Sequence, residues 1–159
     1  MLTKNYLIVV AVDGSEVSMN AVDYAVELAK HEQNSLLILL NILNIGTAKQ
    51  SASSFIAAPT YGLEEYEQHK KEALKWLDEI KISCEKRGII TELEILGGPL
   101  PVASSIVSYC ENRGVDMIVV GTRGKSGFKK LLLGSVASGI VTYAPVSYTH
   151  LTLPTNREV

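Results

Sequence analysis

The chain has 159 residues, of which 47% are apolar and 20% charged, and its formal net charge is −2. That length suits one domain with its own buried core, and that composition excludes an intrinsically disordered chain, which carries fewer apolar residues and more net charge. The slightly acidic balance supplies no overall field for nucleic acid or an anionic membrane surface, so neither is an expected partner.

Leu7-Ile8-Val9-Val10-Ala11-Val12 is continuously apolar and rich in β-branched residues. A strand buried on both faces has this pattern. Asp13-Gly14-Ser15 breaks the run. Met19, Val22, Val26 and Ala29 then recur at spacings of three and four, predicting a helix to about Lys30. Ser15 or Ser18 is placed to cap its first turn. Ser35 to Ile42 predicts a second buried strand. The stretch from Asn44 to about Thr60 is rich in Ser and Ala and has no clear period. It predicts a mobile loop, and loops of such length usually carry function.

Tyr61 to about Arg87 predicts a long amphipathic helix. Ala73, Leu77, Ile80 and Cys84 form its inner stripe, Trp76 flanks it in core or interface, and Glu64, Glu65, Lys70, Lys71 and Lys75 form the wet face. Gly88 ends it. Ile89 to Leu96 predicts a third strand, Gly97 to Pro101 a turn, and Val102 to Asn112 a helix closed by Gly114. Met117 to Val120 predicts a fourth strand ending at Gly121. A last helix opens near Gly134-Ser135 and reaches about Tyr143. Cys84 and Cys110 lie within apolar-periodic stretches and are expected as reduced core thiols rather than a disulfide scaffold.

Strands alternating with helices predict an α/β fold: an open, doubly wound parallel sheet with helices on both faces. Such sheets bind ligands beyond the carboxyl ends of their strands, where the winding reverses. Two segments matter most under this rule, Asp13 to Glu16 after the first strand and Gly121 to Ser135 after the fourth. In the second, Gly121, Gly124 and Gly127 follow the strand at steps of three, and Gly134-Ser135-Val136 opens a helix. Glycines let a backbone approach a ligand closely, and successive free N–H groups form an anion nest. Helix N-termini add further unpaired N–H groups. Arg123, Lys125, Lys129 and Lys130 raise the local positive potential, so the segment suits phosphate; read individually, these cations are a solvated face. A Walker A loop is excluded, because Gly121 and Gly124-Lys125 are separated by two residues where four are needed. The dinucleotide fingerprint is excluded too, because it needs G-x-G-x-x-G after the first strand.

The spacing that fits is G-x2-G-x9-G-[ST], matched by Gly121, Gly124, Gly134 and Ser135. With the strand-ending Asp13 followed by Gly14-Ser15, the chain from about Tyr6 to Val146 resembles the universal stress protein family, in its ATP-binding branch. The resemblance implies a Rossmann-like domain over residues 1–146. It implies that Ala11 and Val12 line a base pocket, that Asp13 meets the adenine or ribose, and that Ile42 covers the base. Val120 and Gly121 would border sugar and base. Arg123, Gly124, Gly127, Gly134, Ser135 and Val136 would surround the phosphates, with Mg2+ or Mn2+ between phosphate oxygens. Standing alone, Asp13 reads equally well as a turn residue.

The implied function is an ATP-binding stress-response regulator acting as a nucleotide-dependent switch toward a regulatory protein partner. Two alternatives stay open: a slow ATPase, and an interaction module without nucleotide. No residue stands out as catalytic. His31, His69 and His150 have no second ligand at metal spacing, and Ser54, Ser104 and Ser126 lack a nucleophile elbow. The first apolar run is too short for a signal peptide and ends at Asp13, and no stretch approaches the ~20 apolar residues of a membrane span, so a cytoplasmic protein is expected. The family ends on a fifth, apolar strand that builds a homodimer. Ala144-Pro145-Val146 begins such a run, but Ser147 to Val159 departs from it and resembles translated adaptor sequence, so residues 147–159 are expected to be a non-native tail.

Overall fold

The computed structural model describes residues 4–44, 62–122 and 135–144. The elements run β1 (Tyr6–Ala11), α1 (Glu16–His31), β2 (Ser35–Asn44), α2 (Leu63–Lys86), β3 (Thr91–Gly98), α3 (Val102–Arg113), β4 (Met117–Val119) and α4 (Ser135–Tyr143). The four strands form one parallel sheet in the order β3-β2-β1-β4. The expected open, doubly wound α/β architecture is therefore present.

The continuous apolar character of β1 and β2 follows from their central places. Side chains alternate across a strand, and here both faces are covered. Ile8, Val10, Leu37 and Leu39 meet Val22, Ala25 and Val26 of α1 and Ala73, Leu77 and Cys84 of α2. Val9, Ile38, Leu40 and Ile118 meet Ile106, Val107 and Cys110 of α3 and Ile140 of α4. The two cysteines thus lie on opposite sides of the sheet, both buried and free. Burial pushes the Cys110 thiol up to about 12 and raises that of Cys84 as well, so both stay protonated, unreactive core groups at neutral pH.

Between Ser15 and Ser18, it is Ser15 that caps α1, its Oγ accepting from the Ser18 N–H at 3.2 Å; the Ser18 hydroxyl donates back to the Ser15 carbonyl at 2.8 Å. Gly88 and Gly114 follow α2 and α3 with φ of +84° and +67°, the left-handed exit that side chains resist. At Gly139 the requirement is proximity: a Cβ there would stand 2.6 Å from the Ala103 Cβ, so the missing side chain lets α4 lie close on α3.

Several boundaries differ from the sequence expectations, each for a pairing reason. Ile89 and Ile90 precede β3 rather than starting it. Ile89 is the buried plug of the α2 exit, its N–H donating to the Cys84 carbonyl at 3.2 Å. Gly97 and Gly98 are not turn residues but the end of β3, opposite Leu43 and Asn44. That pairing also carries β2 two residues past Ile42, so Asn44 belongs to the strand and not to the following loop. Val12 leaves β1 and Val120 leaves β4, each one residue earlier than the apolar runs suggest. The rest of the 44–60 loop, the fifth strand and the 147–159 tail lie outside the described residues. Among the described residues, no helix is long and apolar enough to cross a membrane.

Candidate functional site

The sheet reverses its winding between β1 and β4. The chain passes from β1 outward to β2 and β3 under α1 and α2. It then returns across the other face through α3 to lie beside β1 as β4. The register Ile8↔Met117, Val9↔Ile118, Val10↔Val119 brings Ala11 and Val120 next to each other where both strands end. A crevice at such ends is where open α/β sheets take ligands.

Four of the sequence-selected residues share one side of the sheet. Ala11 from β1, Ile42 from β2, Val120 after β4 and Val136 from α4 are all partly buried against the cluster that α3 and α4 cover. Gly121 is half-buried directly after Val120. Ser135 is the first residue of α4. Val12 faces the other way and is buried in the cluster under α1 and α2. Arg123, Gly124, Gly127 and Gly134 lie outside the described residues.

Asp13 is half-buried at the exit of β1. Its Oδ1 accepts the Ser15 N–H at 2.9 Å, an Asx turn that a glycine at position 14, with φ of +82°, completes. The turn residue and the candidate ligand residue are therefore the same carboxylate: its position at the strand end is set by the turn that starts α1.

One residue at this end escaped the sequence reading. Asn41 is buried in β2 just beyond the last residue paired with β1, and its Nδ2 donates to the Val12 carbonyl at 2.7 Å. The available signal was a single amide closing the run Leu36-Leu37-Ile38-Leu39-Leu40. An open groove of about 590 Å3 lies elsewhere, between α1 and α2, with Gly14, Met19, Trp76, Ile80 and Arg87 on its walls. It shares only Asp13 with the sequence-selected set. At its far end the Arg87 guanidinium bridges Asp23 at 2.8 Å and Glu27 at 3.0 Å. These ions are largely exposed, so the bridge contributes little stability. Trp76 is half-buried, packed on the α1/α2 core. His31 is exposed and His69 pairs with Glu72 at 3.7 Å. Among the described residues no group of His, Cys, Asp and Glu is clustered to hold a metal.

Comparison with known proteins gives a consistent picture. The family model described as the universal stress protein family matches residues 7–149. The chain is 36% identical over 129 residues to universal stress protein YxiE of Bacillus subtilis, covering 80% of this chain and 86% of that one. The fold is similar to universal stress protein UspA from Lactobacillus plantarum, with TM-score 0.69 and 24% identity, covering 92% of this chain and 98% of that one. It is also similar to the universal stress protein from Archaeoglobus fulgidus in complex with dAMP, with TM-score 0.63 and 21% identity, covering 91% and 95%.

Proposed function

The chain belongs to the universal stress protein family, and from that premise we propose that it binds ATP, or a related adenine nucleotide, beyond the carboxyl ends of β1 and β4. The observation that carries this proposal is the convergence of Ala11, Ile42, Val120 and Val136 from four separate elements at the winding reversal. They offer a partly buried apolar floor suited to a purine face, with the polar Asp13 at its edge for base or ribose. The dAMP complex of a family member of similar fold supports the ligand class.

In this proposal the base lies against Ala11 and Ile42 with the backbone of Val12 beside it, the Val12 side chain facing the other way, and Val120 and Gly121 border base and sugar. The segment holding Arg123, Gly124, Gly127 and Gly134, with the start of α4 at Ser135 and Val136, takes the phosphates through backbone N–H groups. A divalent cation, Mg2+ or Mn2+, would neutralise the phosphate oxygens, which themselves serve as most of its ligands. Bound nucleotide stabilises one arrangement of the phosphate-binding segment, and a regulatory protein then distinguishes occupied from empty protein. The same proposal includes a homodimer and a cytoplasmic setting.

The test is to purify the protein without added nucleotide, denature it and identify the released small molecules by mass. ATP or ADP is expected from the parent and should be lost from Gly124→Val and reduced in Ser135→Ala. ATP added with Mg2+ at a hundredfold excess over Kd is expected to stabilise the fold by about 2.7 kcal/mol. A parent that carries no nucleotide and whose melting ignores added ATP overturns the proposal.

A further inference from the structure

Asn41 is 6% exposed. Along β2 it continues the row of Leu37 and Leu39 on the α1/α2 face of the sheet, the face on which the Val12 side chain is also buried. β1 and β2 pair as far as Ala11 and Leu40, and the Val12 N–H still donates to the Leu40 carbonyl at 2.9 Å. Continued parallel pairing would next bring the Ile42 N–H to the Val12 carbonyl. The pairing stops there, and that carbonyl accepts instead from the Asn41 Nδ2 at 2.7 Å. A side chain has replaced a rung of the ladder. The replacement carries a cost, because the other end of the amide, Oδ1, is a buried acceptor with no hydrogen-bond partner among the described residues. Buried polar atoms are normally satisfied, and an exception calls for a physical reason. Here the reason lies in what the donor half holds.

The Val12 carbonyl and the Asp13 nitrogen belong to one planar peptide unit. Fixing the carbonyl therefore fixes the plane from which Asp13 starts. From that plane the Asp13 Oδ1 accepts the Ser15 N–H at 2.9 Å, Gly14 turns at φ of +82°, and the Ser15 Oγ caps α1. Resting on the nucleotide-binding proposal above, we infer that Asn41 is a positioning residue of the site: its amide, locked on the Val12 carbonyl, sets the Val12–Asp13 peptide plane and so aims the Asp13 carboxylate at the bound base or ribose. It acts from the face of the sheet opposite Ala11, Ile42 and Val120 and touches no part of the nucleotide. The residue type follows from the task. Leucine has no donor, and an ionised aspartate can only accept, so neither can hold a carbonyl. A carboxylate oriented before the ligand arrives spares the binding step the cost of ordering it.

The test is a double-mutant cycle on ATP affinity with Asn41→Leu and Asp13→Ala, joined by amide hydrogen exchange without nucleotide. Asn41→Leu alone is expected to weaken ATP binding about tenfold, and to weaken it no further once Asp13→Ala has removed the carboxylate. Losses that multiply in the double variant overturn the inference, because Asn41 then acts independently of Asp13. In the exchange measurement, the Ser15 amide of Asn41→Leu should exchange at least about tenfold faster, while the Val10 amide inside β1 keeps its wild-type rate. A merely structural role would speed both amides together, and that result, like an unchanged Ser15 amide, overturns the inference. If Asn41→Leu fails to fold, Asn41→Asp keeps the side-chain shape and serves the same cycle at a pH where its carboxyl is ionised. If the wild type binds no ATP, the nucleotide-binding proposal has failed and the aiming role with it, and the Ser15 exchange alone then shows whether Asn41 holds the Asp13 turn.

Discussion

At the amino end of the sheet, opposite the proposed site, Asp116 ties two chain segments together. Its Oδ2 accepts the Leu7 N–H at 2.9 Å and its Oδ1 pairs with the Lys4 ammonium at 3.2 Å. The backbone hydrogen bond from Leu7, helped by Lys4, holds the carboxyl below its ordinary range. A carboxyl with a depressed folded pKa stabilises the protein at pH values above its unfolded pKa of about 3.9, and that stabilisation is lost as pH falls below it toward the folded value. Asp116→Asn is therefore expected to melt below wild type at pH 7, with the gap narrowing as the pH falls below the unfolded carboxyl pKa of about 3.9. A gap that persists at low pH would assign the loss to packing instead. Asn41 is the corresponding device at the carboxyl end, a polar side chain that binds a backbone group across two strands. Neither role can be read from the residue's neighbours in sequence. Asp116 and Leu7 are far apart along the chain, and only the β1–β4 register brings them together.

At the scale of elements, the helices differ in how they were encoded. Of the predicted stripes, Ala73, Leu77 and Cys84 on α2 and Val22, Val26 and Ala29 on α1 are buried, whereas Ile80 and Met19 are half-buried and Ser18, Ala21 and Ala25 complete the inner face of α1; the match is this close because a helix has one inward face and its period exposes which face that is. The contact of α4 with α3 depends instead on a single small residue. With the Ala103 Cβ 2.6 Å from where a Gly139 Cβ would stand, Gly139→Ala must push two helix backbones apart. Such overpacking typically costs 1–3 kcal/mol, against about 1 kcal/mol returned by the better helix propensity of alanine. A net destabilisation of about 1 kcal/mol is expected in chemical denaturation. If the proposed function holds, nucleotide affinity should fall as well, because α4 carries Ser135 and Val136 of the proposed site. An increase in stability would show that the α3–α4 contact is slack.

Over the whole molecule, β1 and β2 are central, covered on both faces and paired on both edges, whereas among the described residues β3 pairs only with β2 and β4 only with β1. Native-state hydrogen exchange should therefore find the slowest amides in β1 and β2, near the global stability, and faster ones along the outer edge of β3. Equal protection in all four strands would show that another strand covers that edge. The sequence by itself determined the alternation of strands and helices, the two-sided burial of β1 and β2, the inward stripes of α1 and α2 and the reduced state of the cysteines. Each of these is a local property, expressed in the period or the continuity of apolar residues. The sequence also singled out the two segments after β1 and β4, because turn and glycine signals are local too. Only the tertiary structure decided where strands stop, since Val12, Ile89, Gly97 and Gly98 are assigned by the presence or absence of a paired neighbour. It alone joined Ala11, Ile42, Val120 and Val136 into one surface and set the Asn41 amide against the Val12 carbonyl, because strand order and register are settled by contacts between residues distant in the chain.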